Sequence, residues 1–137
     1  VDRAAVARVA PGTRWRDRAI LSAMALSLRA ECPGMGPLDI RRLEAALAEA
    51  RALISRGVGD PYRLAAAYAS GIVRARPLRP GSAALALAAA FVALRLKGLR
   101  LVAAEVETAA VFRDLEDGAI GAAELEAWLI GASAPIG

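Results

Sequence analysis

Histidine, asparagine and glutamine are absent from all 137 residues, and cysteine occurs once, at Cys32. Without histidine, the commonest general base and the commonest metal ligand are both missing. That excludes a Ser-His-Asp triad, a Cys-His pair and a zincin helix. A single cysteine closes no internal disulfide, so a reducing compartment is expected, with Cys32 as a small buried or turn residue. Aromatic residues make up only 4% of the chain, which leaves small aliphatic side chains to build the core. The longest stretch without a charged side chain is 80–94, shorter than the roughly 18 residues that suggest a membrane span. Asp2, Arg3 and Arg8 open the chain where a signal peptide would carry an apolar core. A cytoplasmic protein with no membrane association is expected.

What is present is alanine, 35 residues of it, in a chain that is 57% hydrophobic. Alanine has the best helix propensity, with leucine and arginine close behind, and a β-sandwich or barrel would need more Val, Ile, Thr and aromatics. The expected fold is all-α, a bundle of about six helices around a central buried helix. Residues 1–13 read as an N-terminal lead-in, 14–131 as the helical domain and 132–137 as a C-terminal tail. The first helix, 14–31, is expected to bury Trp15, Ala19, Leu21, Met24, Leu26 and Leu28, and the Pro/Gly run from Cys32 to Pro37 stops it. The second spans 38–55 with Ile40, Leu43, Leu47, Ala50 and Ile54 at near-helical spacing. Asp60-Pro61 signals the start of a third, which runs to about Arg74. The fourth, 82–97, is apolar nearly all round and is the expected centre. A short extended Leu99-Arg100-Leu101 leads to helices at 103–116 and 122–130. Trp15 and Trp128 read as core or groove residues.

Charge is uneven. The total is +4, from 18 basic and 14 acidic residues, and 17 of the basic residues are arginine. Residues 1–80 carry 14 arginines against 7 acids, whereas 81–137 are net acidic. A basic half suits nucleic acid, an acidic protein partner or a bound phosphate. Aromatics interleaved with the arginines, the stacking platform for single-stranded nucleic acid, are nearly lacking.

The stretch Ala66-Ala67-Tyr68-Ala69-Ser70-Gly71-Ile72-Val73-Arg74-Ala75, followed by Arg76-Pro77-Leu78-Arg79-Pro80-Gly81-Ser82-Ala83-Ala84, resembles the Fic/Doc family. Its motif there reads His-Pro-Phe-x-Asp/Glu-Gly-Asn-Lys/Gly-Arg ahead of a core helix. The likeness is to the death-on-curing branch and extends over roughly 33–131, through Gly98-Leu99-Arg100-Leu101, Glu116-Asp117-Gly118 and Glu124-Leu125-Glu126-Ala127-Trp128-Leu129. It rests on order and spacing more than on identities.

The departures fall on the chemistry. Where the resemblance implies a catalytic His, this chain has Arg76, and where it implies a metal-binding acid it has Pro80. Ser82, Ala83 and Ala84 replace the Asn, Lys and Arg that hold phosphates, Leu78 replaces Phe, and only Pro77 and Gly81 are unchanged. Transfer of a nucleotide or phosphate needs a base for the hydroxyl proton and a carboxylate for Mg²⁺. A guanidinium is never deprotonated in a protein, so the family's transfer is expected to be lost, with no catalytic residue, metal or cofactor. The resemblance then implies a catalytically inactive, pseudo-toxin-like domain that binds a protein. The expected partner is an antitoxin-like or other small DNA-binding regulator, through which the chain associates with DNA indirectly and modulates transcription. One alternative is a nucleotide- or phosphate-binding protein, or residual transferase, using the 74–84 loop, with Arg74, Arg76, Arg79 and Ser82 at an anion site beside a helix N-terminus. A second is direct nucleic-acid binding through the arginine-rich half.

Overall fold

Pro61 begins a helix because its missing N–H would be unpaired in the first turn anyway. Asp60 ahead of it accepts from the amides of Tyr62 (2.9 Å) and Arg63 (3.3 Å). The computed structural model describes residues 16–136, and among these six helices and one two-stranded ribbon form. In chain order they are α1 (Asp17–Glu31), α2 (Ile40–Ser55), α3 (Pro61–Ala75), α4 (Ser82–Leu96), β1 (Leu99–Leu101), α5 (Glu105–Glu116), α6 (Ala122–Ala132) and β2 (Ser133–Pro135). The lead-in 1–13 and Trp15 lie outside the described residues. No helix among the described residues is long and apolar enough to cross a membrane.

The all-α expectation holds, and α4 is buried along most of its length, from Ser82 to Leu96. It does not hold the centre alone. The helix packed against most others is α3, which meets α2 on one side, α4 on another and the α5–α6 arm on a third. An unbroken run from Leu64 to Ala69 is buried there. Alanine explains how α3 fits. Ala65, Ala66, Ala67 and Ala69 project so little that helix axes come close on several sides at once, and Gly71 completes the fit. A Cβ on Gly71 would run into the Ala46 carbonyl of α2. Each buried alanine methyl contributes only about the 0.8 kcal/mol of one CH₂ group, so the alanines set how closely the helices approach while fully buried leucines such as Leu21, Leu43, Leu47, Leu85 and Leu125 supply most of the apolar burial.

Two sequence expectations fail on detail. Ala19 and Leu26 are not core: α1 buries Leu21, Met24, Ala25 and Leu28, spaced three, four and seven apart, and Leu26 is 67% exposed. On α2 the buried stripe is Leu43, Ala46, Leu47, Ala50 and Leu53, which turns Ile40 and Ile54 outward. Cys32 takes the turn alternative and lies exposed after α1. Of the expected tail, the described residues 132–136 continue the fold. Ala132 ends α6, and β2 pairs antiparallel with β1, Arg100 opposite Ala134, because the last turn of α6 delivers the chain beside Leu99–Leu101. Trp128 is half-buried, edge-on to Phe112 with ring centroids 6.5 Å apart.

An ionic cluster, not foreseen from the sequence, fastens α1 to this core. Arg51 on α2 reaches Asp17 with Nε (3.0 Å) and Nη2 (2.8 Å), and its Nη1 donates to Glu44 Oε2 (2.6 Å). The hydroxyl of the fully buried Tyr68 on α3 donates to Asp17 Oδ2 at 3.1 Å. One carboxylate thus binds three helices. Burial by itself pushes the Asp17 carboxyl up. The bonds from Arg51, the Arg18 amide and Tyr68 outweigh that and hold it below the usual carboxylate range. The bond to Asp17 likewise raises the Arg51 guanidinium.

Two measurements test this account. Gly71→Ala is expected to cost about 2–3 kcal/mol by forcing α2 and α3 apart, read as a lower urea midpoint. Asp17→Asn is expected to cost about 1–2 kcal/mol near neutral pH, a figure held down by the partial exposure of Arg51. A group whose folded pKa is depressed stabilises fully above its unfolded pKa, and that stabilisation is lost as pH falls through the folded value. The gap between wild type and Asp17→Asn should therefore narrow in urea melts as pH falls below the carboxylate range, and a gap that stays constant would contradict the assignment.

Candidate functional site

The segment between α3 and α4, with the first turn of α4, carries the motif positions 76–84 singled out by the resemblance. Arg76 ends α3 in the left-handed conformation (φ 53°, ψ 58°), and its amide donates to the Ile72 carbonyl. For a side chain without Asn-like local bonding, that conformation is uncommon and costs about 1 kcal/mol or more. Pro77 and Leu78 then turn inward and are buried, while Arg79 and Pro80 stay exposed. The Arg79–Pro80 peptide is cis. Gly81, with φ 121°, is the residue before α4, and a Cβ there would meet Met35 Sδ at 2.8 Å.

Ser82 does not cap α4. It is the first residue of the helix and is buried; its hydroxyl donates back to the Leu78 carbonyl (2.6 Å) and accepts from the Leu78 amide (3.3 Å). Its oxygen is therefore committed to closing the turn and is withdrawn from any ligand. Ala83 and Ala84 beside it offer no polar side-chain atom. The N-terminus of α4 has no side-chain cap.

The four residues expected at one anion site are divided by the fold. Arg76 and Arg79 line an open cleft of about 500 Å³ with Arg42 of α2, Asp39 and the apolar Pro37, Leu38 and Pro77. Arg74, two residues earlier on a helix, points elsewhere. It lies with Arg63 and Ser70 along another face of α3, in a cavity of about 630 Å³ walled by Glu49 and by Glu126 from α6. Ser82 lines neither. The arginines of 74–79 are close in sequence but are separated by the turn at Arg76.

Arg42 is the member that sequence reasoning missed. It falls 34 residues before Arg76, and its only local signal is its place in the first turn of α2 behind the N-cap Asp39. Asp39 Oδ1 accepts from the Arg42 amide at 3.1 Å, and the Arg42 Nε lies 3.5 Å from Asp39 Oδ2. Arg42 Nη1 donates across to the Ala75 carbonyl at 3.0 Å, capping the C-terminal end of α3 with a cation where the helix dipole favours one. Two backbone bonds lock the cleft walls together, from the Gly36 amide to the Arg79 carbonyl (3.0 Å) and from the Asp39 amide to the Pro77 carbonyl (2.8 Å).

No protein-family model matches the chain, and no curated protein is significantly similar to it. The chemistry of the site is therefore read from its own groups. Around the α3–α4 turn these are guanidinium forks, one aspartate already in use as a cap, and proline faces. Among the described residues no three acidic or cysteine side chains gather as a metal ion would require. The arrangement can attract anions and present a rigid surface, and its one carboxylate, Asp39, is engaged by the Arg42 amide and guanidinium.

Ser82→Ala is expected to strip the Leu78 amide and carbonyl of their buried partner and cost about 1–3 kcal/mol, measured as a fall in melting temperature. An unchanged melting temperature would mean that the hydroxyl does not close the turn.

Proposed function

We propose that this chain is a catalytically inactive Fic/Doc-like domain that serves as a protein-binding regulatory module. The observation that carries the reading is the α3–α4 turn. It occupies the place in the helix order where the resemblance puts a transfer site, yet its only hydroxyl is tied to Leu78 and its leading residue is an arginine held as a helix C-cap. Position 80, which the resemblance would give to a metal-binding acid, is an exposed proline. The helix succession, with a degenerate turn between the two most deeply packed helices and a last helix after Gly121, is consistent with that family's order.

A scaffold that keeps its shape without its reacting groups is suited to recognition. The partner is an antitoxin-like or other small DNA-binding regulator, so that contact with DNA is indirect. Charge favours a partner with an acidic contact strip, since the exposed arginines are concentrated in the first 80 residues. The phosphate-binding alternative at the 74–84 loop is weakened by geometry, because Arg74 and Ser82 do not reach the cleft that Arg76 and Arg79 share.

The test is purification from the native host at moderate salt with nuclease present, together with incubation of the pure protein with labelled ATP and host extract. The expected result is a small protein retained in stoichiometric amount, and no label transferred. Label on any protein would overturn the inactive reading. Retention of nucleic acid alone, lost steeply as salt rises, would replace it with direct binding through the arginines.

A further inference from the structure

The cleft between residues 37–42 and 76–79 has a composition that the proposed function does not use. Three arginines face one aspartate there. Asp39 is occupied as the N-cap of α2 and as the neighbour of Arg42, and among the described residues no other acid lines the cleft with Arg76 and Arg79. The Arg79 Nε donates to the Arg76 carbonyl at 3.4 Å, which steadies the guanidinium and leaves its outer two nitrogens pointing away from that bond. Arg42 is likewise held by one nitrogen on Ala75. These are forks partly oriented before any ligand arrives, which reduces the ordering cost of binding. Arg76 holds an unfavourable left-handed backbone that glycine would adopt at no steric cost.

The kind of anion follows from the donors that remain. Phosphate sites at loop–helix junctions rely on free backbone N–H groups. Here three of the amides bordering the cleft are spent, Gly36 on Arg79, Asp39 on Pro77, and Arg42 on the Asp39 carboxylate, so side-chain guanidinium groups supply most of its donors. The Asp39 charge also opposes a dianion. What remains is a set of guanidinium forks along an open cleft with proline and leucine walls, a match for planar carboxylates presented one after another by a chain.

Resting on the binding-module reading, we infer that Arg42, Arg76 and Arg79 form the docking site for an acidic segment of the partner protein, with successive Asp or Glu carboxylates paired to the guanidinium forks. A phosphate or nucleotide is the competing ligand.

A fluorescently labelled oligo-glutamate peptide, followed by anisotropy at low and physiological salt, provides the test on the full chain. Binding is expected, and the Arg76→Ala/Arg79→Ala pair is expected to weaken it roughly tenfold. An Arg100→Ala/Arg113→Ala pair, which removes the same charge away from the cleft, should change it by about twofold or less. Arg76→Lys/Arg79→Lys keeps the charge without the fork and guards against a folding artefact; its affinity should fall below wild type. No binding, equal losses in the two alanine pairs, full affinity in the lysine pair, or displacement by inorganic phosphate or AMP at the concentration that displaces with free oligo-glutamate would each overturn the inference. Failure here is separable from failure of the wider reading. A native partner still held by the Arg76→Ala/Arg79→Ala protein would discard this site and leave the binding module standing, whereas transfer of label from ATP would remove the module reading whatever the peptide does.

Discussion

The contact on which this molecule depends is backbone against backbone, where Gly71 of α3 lies over the Ala46 carbonyl of α2. Helices normally stand 8–10 Å apart because their side chains hold them there. At this crossing α3 presents Gly71, and the approach closes until the main chain of α2 is itself the limit. Dispersion attraction grows steeply at such range, so a core nearly without aromatic anchors still packs densely. The same closeness removes tolerance, since no rotamer change can relieve an added methyl group pressed on a carbonyl.

Once α2 and α3 are clamped, much else follows. The N-terminal end of α2 and the C-terminal end of α3 come side by side, and Arg42 on one satisfies the Ala75 carbonyl of the other. The loops leading to and from these ends are then near enough for the Gly36 and Asp39 amides to find the Arg79 and Pro77 carbonyls. On the opposite side, Asp17 draws α1 onto both helices through Arg51 and Tyr68. The carboxylate is tolerated at partial burial because it has four donors around it, and removing one partner strands the others. Apart from the bonds of Tyr68 and Glu44 in this cluster, these polar contacts sit at the ends of helices, where backbone groups lack partners.

The α3–α4 turn is closed in the same way. The turn where the resemblance would put chemistry is filled by its own bonds: Ser82 on Leu78, Arg79 on Arg76, Met35 against Gly81. The unsatisfied charge lies just outside it, in the arginine cleft. A turn closed by its own bonds and bordered by cations suits the recognition role proposed for this chain.

Composition and local pattern determined the class of fold and nearly all of its helices. Asp60-Pro61, Gly98 and the Pro/Gly run at 33–37 mark ends through backbone chemistry that acts within a few residues, so they are readable in one dimension. The burial of α4 was readable too, because a helix apolar on every side has nowhere else to go. Which stripe of α1 and α2 faces inward was not, as alanine fits core and surface equally well and Leu26 looks like Leu28 until a neighbour is placed. Tertiary structure alone decided the pairing of β1 with β2, the grouping of Asp17, Arg51 and Tyr68, and the division of Arg74 from Arg76 and Arg79. It also recruited Arg42. Each of these joins residues far apart in the chain or separates neighbours by a helix end, and only the packing of α3 among its neighbours sets those distances.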